Sequence, residues 1–255
     1  MFSLSADEAN ALWRACPHSG RVELSRVRTL LKGLVGELQA NFRTTTRRAA
    51  TTMWMAGLES KGWFEPADVP WSALAEGSIG HIRADYGRLR SAGITAQRYL
   101  AEDDPTADRQ VIDGWKSVFL SRDGRWFPET ALRCRATVEL FDRLPWFPGD
   151  IMFSVLAPGV RIPAHYGLDN LHVTLHIPIE VHGDCGLVVD GETRPVIDGE
   201  ILIFDDTYRH GAWNLADRPR VHLVADIWHP GLTPMEIDAL RFIVPSIKRL
   251  NRVSR

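Results

Sequence analysis

The chain is poor in cysteine: Cys16, Cys134 and Cys185 are the only three in 255 residues, and they lie far apart. An odd, scattered set argues against a disulfide framework and against a paired-cysteine metal site. Long apolar runs are missing too. Nothing approaches the roughly 18 uninterrupted apolar residues of a membrane-crossing helix. Asp7 and Glu8 interrupt the N-terminus where a secretion signal would need its apolar stretch. Charge of one sign is also lacking: 30 Lys and Arg against 32 Asp and Glu leave a formal net charge of -2, which gives no general pull toward nucleic acid or anionic membrane. Short basic pairs such as Arg47-Arg48 and Lys248-Arg249 read as solvated faces. There is no internal repeat and no low-complexity segment. These absences lead to the expectation of a cytoplasmic protein without nucleic-acid or membrane partners; they leave its oligomeric state open.

What is present is enough apolar material, 45% of residues, for a substantial core. The first part reads as helical. Ser5 followed by Glu8 resembles a capping box that starts a helix near Ala6. Val27, Leu30, Leu31, Leu34, Val35 and Leu38 form the stripe of one helix face. Residues 44–52 are polar and basic and read as a connection or the flank of another helix. Ile79, Ile82, Tyr86 and Leu89 repeat the helical spacing, with Gly93 as the stop. Residues 95–150 are irregular, with turn signals at Asp103-Asp104-Pro105, Asp123-Gly124 and Phe147-Pro148-Gly149. Within them Trp115 and 118–120 suggest a short strand, and 129–144 a helix.

From Ile151 the character changes. Short β-rich runs follow at 151–156, 161–165, 173–179, 186–189, 194–197, 200–204 and 221–228, separated by Gly, Pro and Asp, with a favourable hairpin turn at Asp190-Gly191. Residues 234–250 then read as a closing helix. The expected fold is mainly β with α. A helical N-terminal part, residues 1–95, packs on a jelly-roll-like barrel over 96–255, and the two form one unit.

Five histidines lie in or beside the expected strands: His165, His172, His176, His210 and His222. A single strand histidine is usually structural, but two of these fall where a jelly roll can bring them together. His165 ends one run and His210 follows the Asp205-Asp206 turn, so both can reach one barrel mouth. Neutral imidazole suits iron, and two histidines leave positions open for a chelating cosubstrate and oxygen. Ten residues later Arg220 opens an apolar strand. A buried guanidinium needs an anion, and its fork matches a carboxylate twice over. Either a dicarboxylate spans the metal and Arg220, or Arg220 forms a structural ion pair with Asp226 or Asp206.

The motifs SVLAPGVRIPAH (154–165), HYGLDN (165–170), ILIFDDTYRH (201–210) and DIWHPGLTP (226–234), with the weaker SKGWFEP (60–66), resemble the aspartyl/asparaginyl β-hydroxylase family over about residues 60–240. The resemblance implies a double-stranded β-helix, a cupin-like jelly roll, that uses iron(II), 2-oxoglutarate and dioxygen. It places the iron histidines at His165 and His210 and the arginine for the distal cosubstrate carboxylate at Arg220. Further cosubstrate contacts fall at Ser154 and His176. Gly167 stands where most such oxygenases have a metal-binding carboxylate, as in the vertebrate members of the family. Asp169 is offset from that place and is expected to hold water or an imidazole N–H. Asp206, with Asp205, is expected to support the turn before His210. His172 and Thr174 occupy the substrate side, where the animal enzymes carry arginines, so the target is expected to be neutral or basic or to be held by groups from the helical part. Because His172 can donate hydrogen bonds, an aspartyl or asparaginyl target stays open.

The expected function is hydroxylation of an unactivated C–H bond, at Cβ, of an amino-acid residue that is free, carrier-bound or in a peptide, with release of succinate and CO2. Two alternatives remain open at this point: a cupin-like metal- or ligand-binding protein without turnover, and an acyl-chain hydroxylase.

Overall fold

The computed structural model describes residues 2–36, 48 and 52–253. Leu38 and most of the 44–52 connection lie outside the described residues. Along the chain come α1 (Ala6–Ala15), α2 (Ser25–Val35), β1 (Trp63–Phe64), α3 (Ser72–Gly77), α4 (Ile79–Ser91), β2 (Gln97–Arg98), α5 (Arg109–Gly114), β3 (Trp115–Arg122), β4 (Arg125–Trp126), α6 (Pro128–Ala131) and α7 (Arg135–Arg143). The remainder runs β5 (Trp146–Leu156), β6 (Arg161–His165), β7 (His172–Glu180), β8 (Cys185–Val189), β9 (Glu192–Pro195), β10 (Leu202–Phe204), β11 (His210–Asn214), β12 (Arg220–Trp228) and α8 (Pro234–Val253).

The larger sheet has the order β1-β10-β7-β12-β5-β3-β2, with β4 beside β3, and the smaller has the order β6-β11-β8-β9. All the pairings are antiparallel. Counted from β5 to β12, the first, third, sixth and eighth strands lie in the larger sheet and the rest in the smaller. That is the winding of a double-stranded β-helix. The two sheets share no ladder among the described residues, so the expected barrel is an open pair of sheets.

Period-two alternation decides what each face of the larger sheet does. Val221, Leu223, Ala225 and Ile227 of β12 join Val173, Leu175, Ile177 and Ile179 of β7 in a core capped by Ile82, Tyr86 and Leu89 of α4 and Phe141 of α7. The intervening residues, Arg220, Val224 and Asp226 on β12 and His172, Thr174 and His176 on β7, line a cavity on the other face. Each buried Val, Leu or Ile contributes about 1.5–3 kcal/mol. A one-residue slip of β12 would forfeit those terms and push a guanidinium into the apolar layer, so the register is held firmly.

A second core joins the two ends of the chain. Val27, Leu30, Leu31 and Leu34 of α2 pack with Leu240, Ile243, Val244 and Ile247 of α8. Arg26 fastens the contact through Nε and NH2 to Glu236, at 2.8 and 2.5 Å. α1 starts on the expected capping box, with Glu8 N–H donating to Ser5 Oγ at 3.2 Å and Ser5 N–H donating to the Glu8 carboxylate at 2.8 Å. The Asp190-Gly191 turn has the two positive φ values, 53° and 83°, that its tight hairpin requires.

Three expectations need correction. The helix expected over 129–144 is two helices, because Asp85 on α4 caps the second: its Oδ2 accepts Thr137 N–H at 2.7 Å and Thr137 O–H at 2.8 Å. Phe147-Pro148-Gly149 is not a turn but lies inside β5. The register shifts opposite it, between Ala225 and Ile227, and Asp150 N–H donates to the Asp226 carboxylate at 3.2 Å in place of a ladder bond. Finally, β11 was not expected as a strand at all, yet it carries His210.

Candidate active site

His165 ends β6 and His210 begins β11, and the two are direct partners across the ladder. The register shifts just after His210, and β6 passes so close to Gly211 that a Cβ there would lie 2.9 Å from Ile162 O. Only glycine accepts that approach. The imidazole centroids are 4.1 Å apart with their planes at 57°. His165 Nδ1 lies 2.8 Å from Pro163 O and His210 Nδ1 lies 2.9 Å from Tyr208 O. A carbonyl can only accept, so each ring carries its proton on Nδ1 and keeps the Nε2 lone pair free for a cation. His165 is exposed, whereas His210 is 9% exposed. Burial, with His165 beside it, pushes His210 down to about 4. It is therefore neutral and competent as a ligand at ordinary pH.

The turn before His210 is braced from far away. Asp205 Oδ1 accepts Thr207 N–H at 2.9 Å and its other oxygen pairs with Arg48. The Arg48 guanidinium also donates to Thr207 Oγ1 at 2.7 Å and stacks between Trp54 and Tyr208, 4.4 and 4.6 Å from the ring centroids.

Asp206 does something different from its neighbour. A Cβ on Gly167 would overlap Cγ and both carboxylate oxygens of Asp206. The carboxylate of Asp206 thus fills the space that a side chain at 167 would need. Gly167 N–H donates to Asp206 O at 2.6 Å, which ties the two segments together. Asp206 Oδ2 lies 3.4 Å from His172 Nε2, and Oδ1 is buried without a hydrogen-bond partner. Asp169 holds the other side of His172, with Oδ1 3.0 Å from Nδ1. The imidazole N–H it supports is therefore that of His172, not of His165 or His210. Burial opposes a charge on His172, but Asp206, Asp226 and Asp169 together hold it well above its ordinary value, as an imidazolium. Both of its ring nitrogens face carboxylates. Thr174, next but one along β7, is buried and lines the same wall.

The cavity is about 450 Å³. Besides His165, His210 and His172 it reaches Arg220 on β12, which is 1% exposed. Nε and NH1 of this guanidinium have no hydrogen-bond partner, and it forms no ion pair among the described residues. The structural pairing with Asp226 or Asp206 does not form, because those carboxylates surround His172 instead. Burial alone pulls Arg220 down to about 10, so it stays charged at neutral pH. Nearby are Ser154, whose Oγ accepts Trp115 Nε1–H at 3.1 Å, and His176, whose Nδ1 is 3.0 Å from His222 Nδ1. Phe204 separates His176 from His210, with centroids 5.4 and 5.2 Å from the two rings.

The structure thus gathers His165, His210, Arg220, Ser154, His176, His172, Thr174, Asp169 and Asp206 around one cavity. Sequence reasoning missed Asp150 and Tyr99 in its wall, the brace at Arg48, and the pairing of His222. The last was visible in principle, since His222 is two residues past Arg220 and so on the same strand face. No group of three or more His, Cys, Asp or Glu side chains arranged to hold a metal occurs among the described residues. The donor set that fits a metal is the pair of free Nε2 atoms.

The family described as Aspartyl/Asparaginyl beta-hydroxylase matches residues 76–230. Human aspartate beta-hydroxylase domain-containing protein 2 is 34% identical over 137 residues, 51% of this chain and 37% of that protein. Human aspartyl/asparaginyl beta-hydroxylase is 23% identical over 216 residues, 81% of this chain and 27% of that one. The ornithine lipid ester-linked acyl 2-hydroxylase of Rhizobium tropici is 31% identical over 177 residues, 67% of this chain and 62% of the relative. The chain therefore spans less than two thirds of each of these relatives. Among solved structures, a Cupin 2 conserved barrel domain protein from Salinispora arenicola covers 59% of this chain and 98% of its own, with 17% identity and a TM-score of 0.32. The matched family segment carries β7 and β12, which line the cavity, and both facing imidazoles, and on that match the chain belongs to the aspartyl/asparaginyl β-hydroxylase family.

Proposed function

We propose that this protein is an iron(II)- and 2-oxoglutarate-dependent dioxygenase that hydroxylates an unactivated C–H bond, at Cβ, of an amino-acid residue, free, carrier-bound or in a peptide. One observation carries the reading: a buried guanidinium without an anion faces the same cavity as two imidazoles whose Nε2 lone pairs are free. A keto-diacid satisfies both ends at once, since one carboxylate answers Arg220 while the keto-acid end supplies oxygen donors for a metal on His165 and His210. Ser154 and His176 line the same cavity and, on this reading, add hydrogen bonds to the diacid.

Iron, when bound with 2-oxoglutarate and dioxygen, supplies the oxidising power, with the balance R–H + 2-oxoglutarate + O2 giving R–OH + succinate + CO2. The chain contributes the rest. Pro163 O and Tyr208 O hold the two rings in one tautomer, Arg220 anchors the diacid, and Phe204 and Leu187 keep water from the cavity floor. On the target side, Asp169, Asp206 and Asp226 face the imidazolium of His172, so this wall remains net negative. That supports a target presenting a neutral or positively charged group and disfavours a carboxylate.

Two other readings have specific support. Gly167 and the two-histidine donor set suit a cupin-like binding protein without turnover. The Rhizobium relative, named for acting on an ornithine lipid, suits an acyl-chain hydroxylase; among the described residues no helix is long and apolar enough to cross a membrane. Succinate release from 2-oxoglutarate, with iron and ascorbate, separates them when measured over a panel of amino acids, lysine- and aspartate-containing peptides and acyl lipids. Release stimulated by amino-acid or peptide targets supports the proposal. Release stimulated only by lipids supports the acyl reading, and no release at all supports binding without turnover.

A further inference from the structure

His176 and His222 are both buried, 9% and 0% exposed, and they meet through Nδ1 at 3.0 Å. Their planes are nearly perpendicular, at 87°. Two neutral imidazoles in that contact share one proton, so one ring donates and the other accepts. Burial, reinforced by the charge of Arg220, holds both well below their ordinary values, so neither ring gains the extra proton that would make it an imidazolium near neutral pH.

The two orientations differ at the far ends of the rings. If His176 donates, His222 must carry its only ring proton on Nε2, an N–H with no hydrogen-bond partner in the dry interior. His176 would then present a bare lone pair to the cavity, facing whatever anion Arg220 holds. If His222 donates, the partnerless atom at its far end is only a lone pair, and orphaned acceptors are better tolerated than orphaned N–H groups. His176 then presents Nε2–H to the cavity, where it can donate to an anion.

We propose that His222 is a positioning residue: it donates Nδ1–H to His176 Nδ1 and so fixes His176 as the tautomer whose Nε2–H faces the anion beside Arg220. The inference rests on the keto-diacid reading for the identity of that anion, but not for the tautomer itself. His222 touches no substrate. It acts through His176, as the carbonyls of Pro163 and Tyr208 act on the other two rings.

Long-range 1H–15N spectra of protein labelled at histidine nitrogen, metal-free and without cosubstrate, test the tautomer directly. An unprotonated Nδ1 and a protonated Nε2 on His176 are expected, and a protonated Nδ1 there overturns the proposal. The second arm is kinetic. His222→Leu removes the donor and should raise the 2-oxoglutarate KM about tenfold or more while kcat stays within about threefold. His222→Asn, whose side-chain amide can sit where Nδ1 does, should restore most of the KM. An unchanged KM in His222→Leu, or equal impairment in both variants, overturns it. Wild-type saturation by 2-oxoglutarate is measured first. Its failure would refute the dioxygenase reading, and the nitrogen spectra would still decide the tautomer.

Discussion

Replacing Arg220 by methionine separates an anion-binding arginine from a structural one, because the two roles predict opposite changes in stability. The guanidinium is 1% exposed and two of its nitrogens lack partners. Two orphaned donors cost about 1–3 kcal/mol each. The same penalty follows from titration. A base pulled from 12.5 to about 10 by burial is less stable charged in the folded state than in the unfolded. That difference is about 3 kcal/mol, fully present below pH 10 and relieved only as pH rises from there toward 12.5. Methionine keeps much of the stem and drops the charge. The empty variant should therefore melt no lower than wild type, and up to about 6 °C higher for a chain of this size. Binding should move the other way. Losing a bidentate pair to a carboxylate forfeits two hydrogen bonds to charge, about 3 kcal/mol together, and raises the 2-oxoglutarate KM by on the order of a hundredfold. Melting curves with and without 2-oxoglutarate, in the presence of zinc to prevent turnover, read both effects: the wild type should gain stability from the diacid and the variant should not. A variant that melts several degrees lower, with its cosubstrate dependence unchanged, would show that the arginine serves the fold, and the argument from an unpaired charge would be wrong.

His210→Ala should abolish iron-dependent succinate release while leaving the far-ultraviolet spectrum intact, and retained activity would remove His210 from the metal site. Gly167→Asp should lose iron affinity, because its Cβ overlaps the Asp206 carboxyl group. The double variant Gly167→Asp with Asp206→Ala empties that space and should recover iron binding by titration calorimetry; no recovery would show that the two positions do not share one volume. His172 is held well above its ordinary value, so its ion pairs stabilise fully below pH 6.5 and are lost as pH rises through the raised value. His172→Gln should accordingly melt lower than wild type at pH 6, with the gap closing at higher pH; a gap that widens instead would rule out the imidazolium.

Where a segment's burial follows from its own alternation, the sequence was readable. In β7, His-Val-Thr-Leu-His-Ile shows polar and apolar faces directly, and the same holds for β12 after Arg220. The 3.6-residue stripe of α4 and the hairpin at Asp190-Gly191 were equally plain. The misreadings share a cause, which is a partner distant in the chain. Nothing local in 129–144 announces that Asp85 will cap a second helix. Nothing in His-Gly-Ala-Trp-Asn announces a strand, because its glycine is there for the close passage of β6. In the site, motif and spacing pointed to His165, His210 and Arg220. Whether the arginine was paired depended on where Asp206 and Asp226 turned, and that is a property of the packed cavity. The occupancy of the Gly167 position by a carboxylate 39 residues later was invisible for the same reason.

The grip of Arg48 on the Asp205 turn ties the proposed iron site to a part of the chain 157 positions upstream. The strand β1 belongs to that upstream part as well, and it forms the outer rail of the larger sheet next to β10. A fragment beginning at residue 96 would keep every proposed metal and cosubstrate contact and still lack both supports. Its failure to retain iron would then be a mechanical defect, curable by supplying the missing segment in trans, and truncation experiments on such a fragment would measure scaffolding and not chemistry.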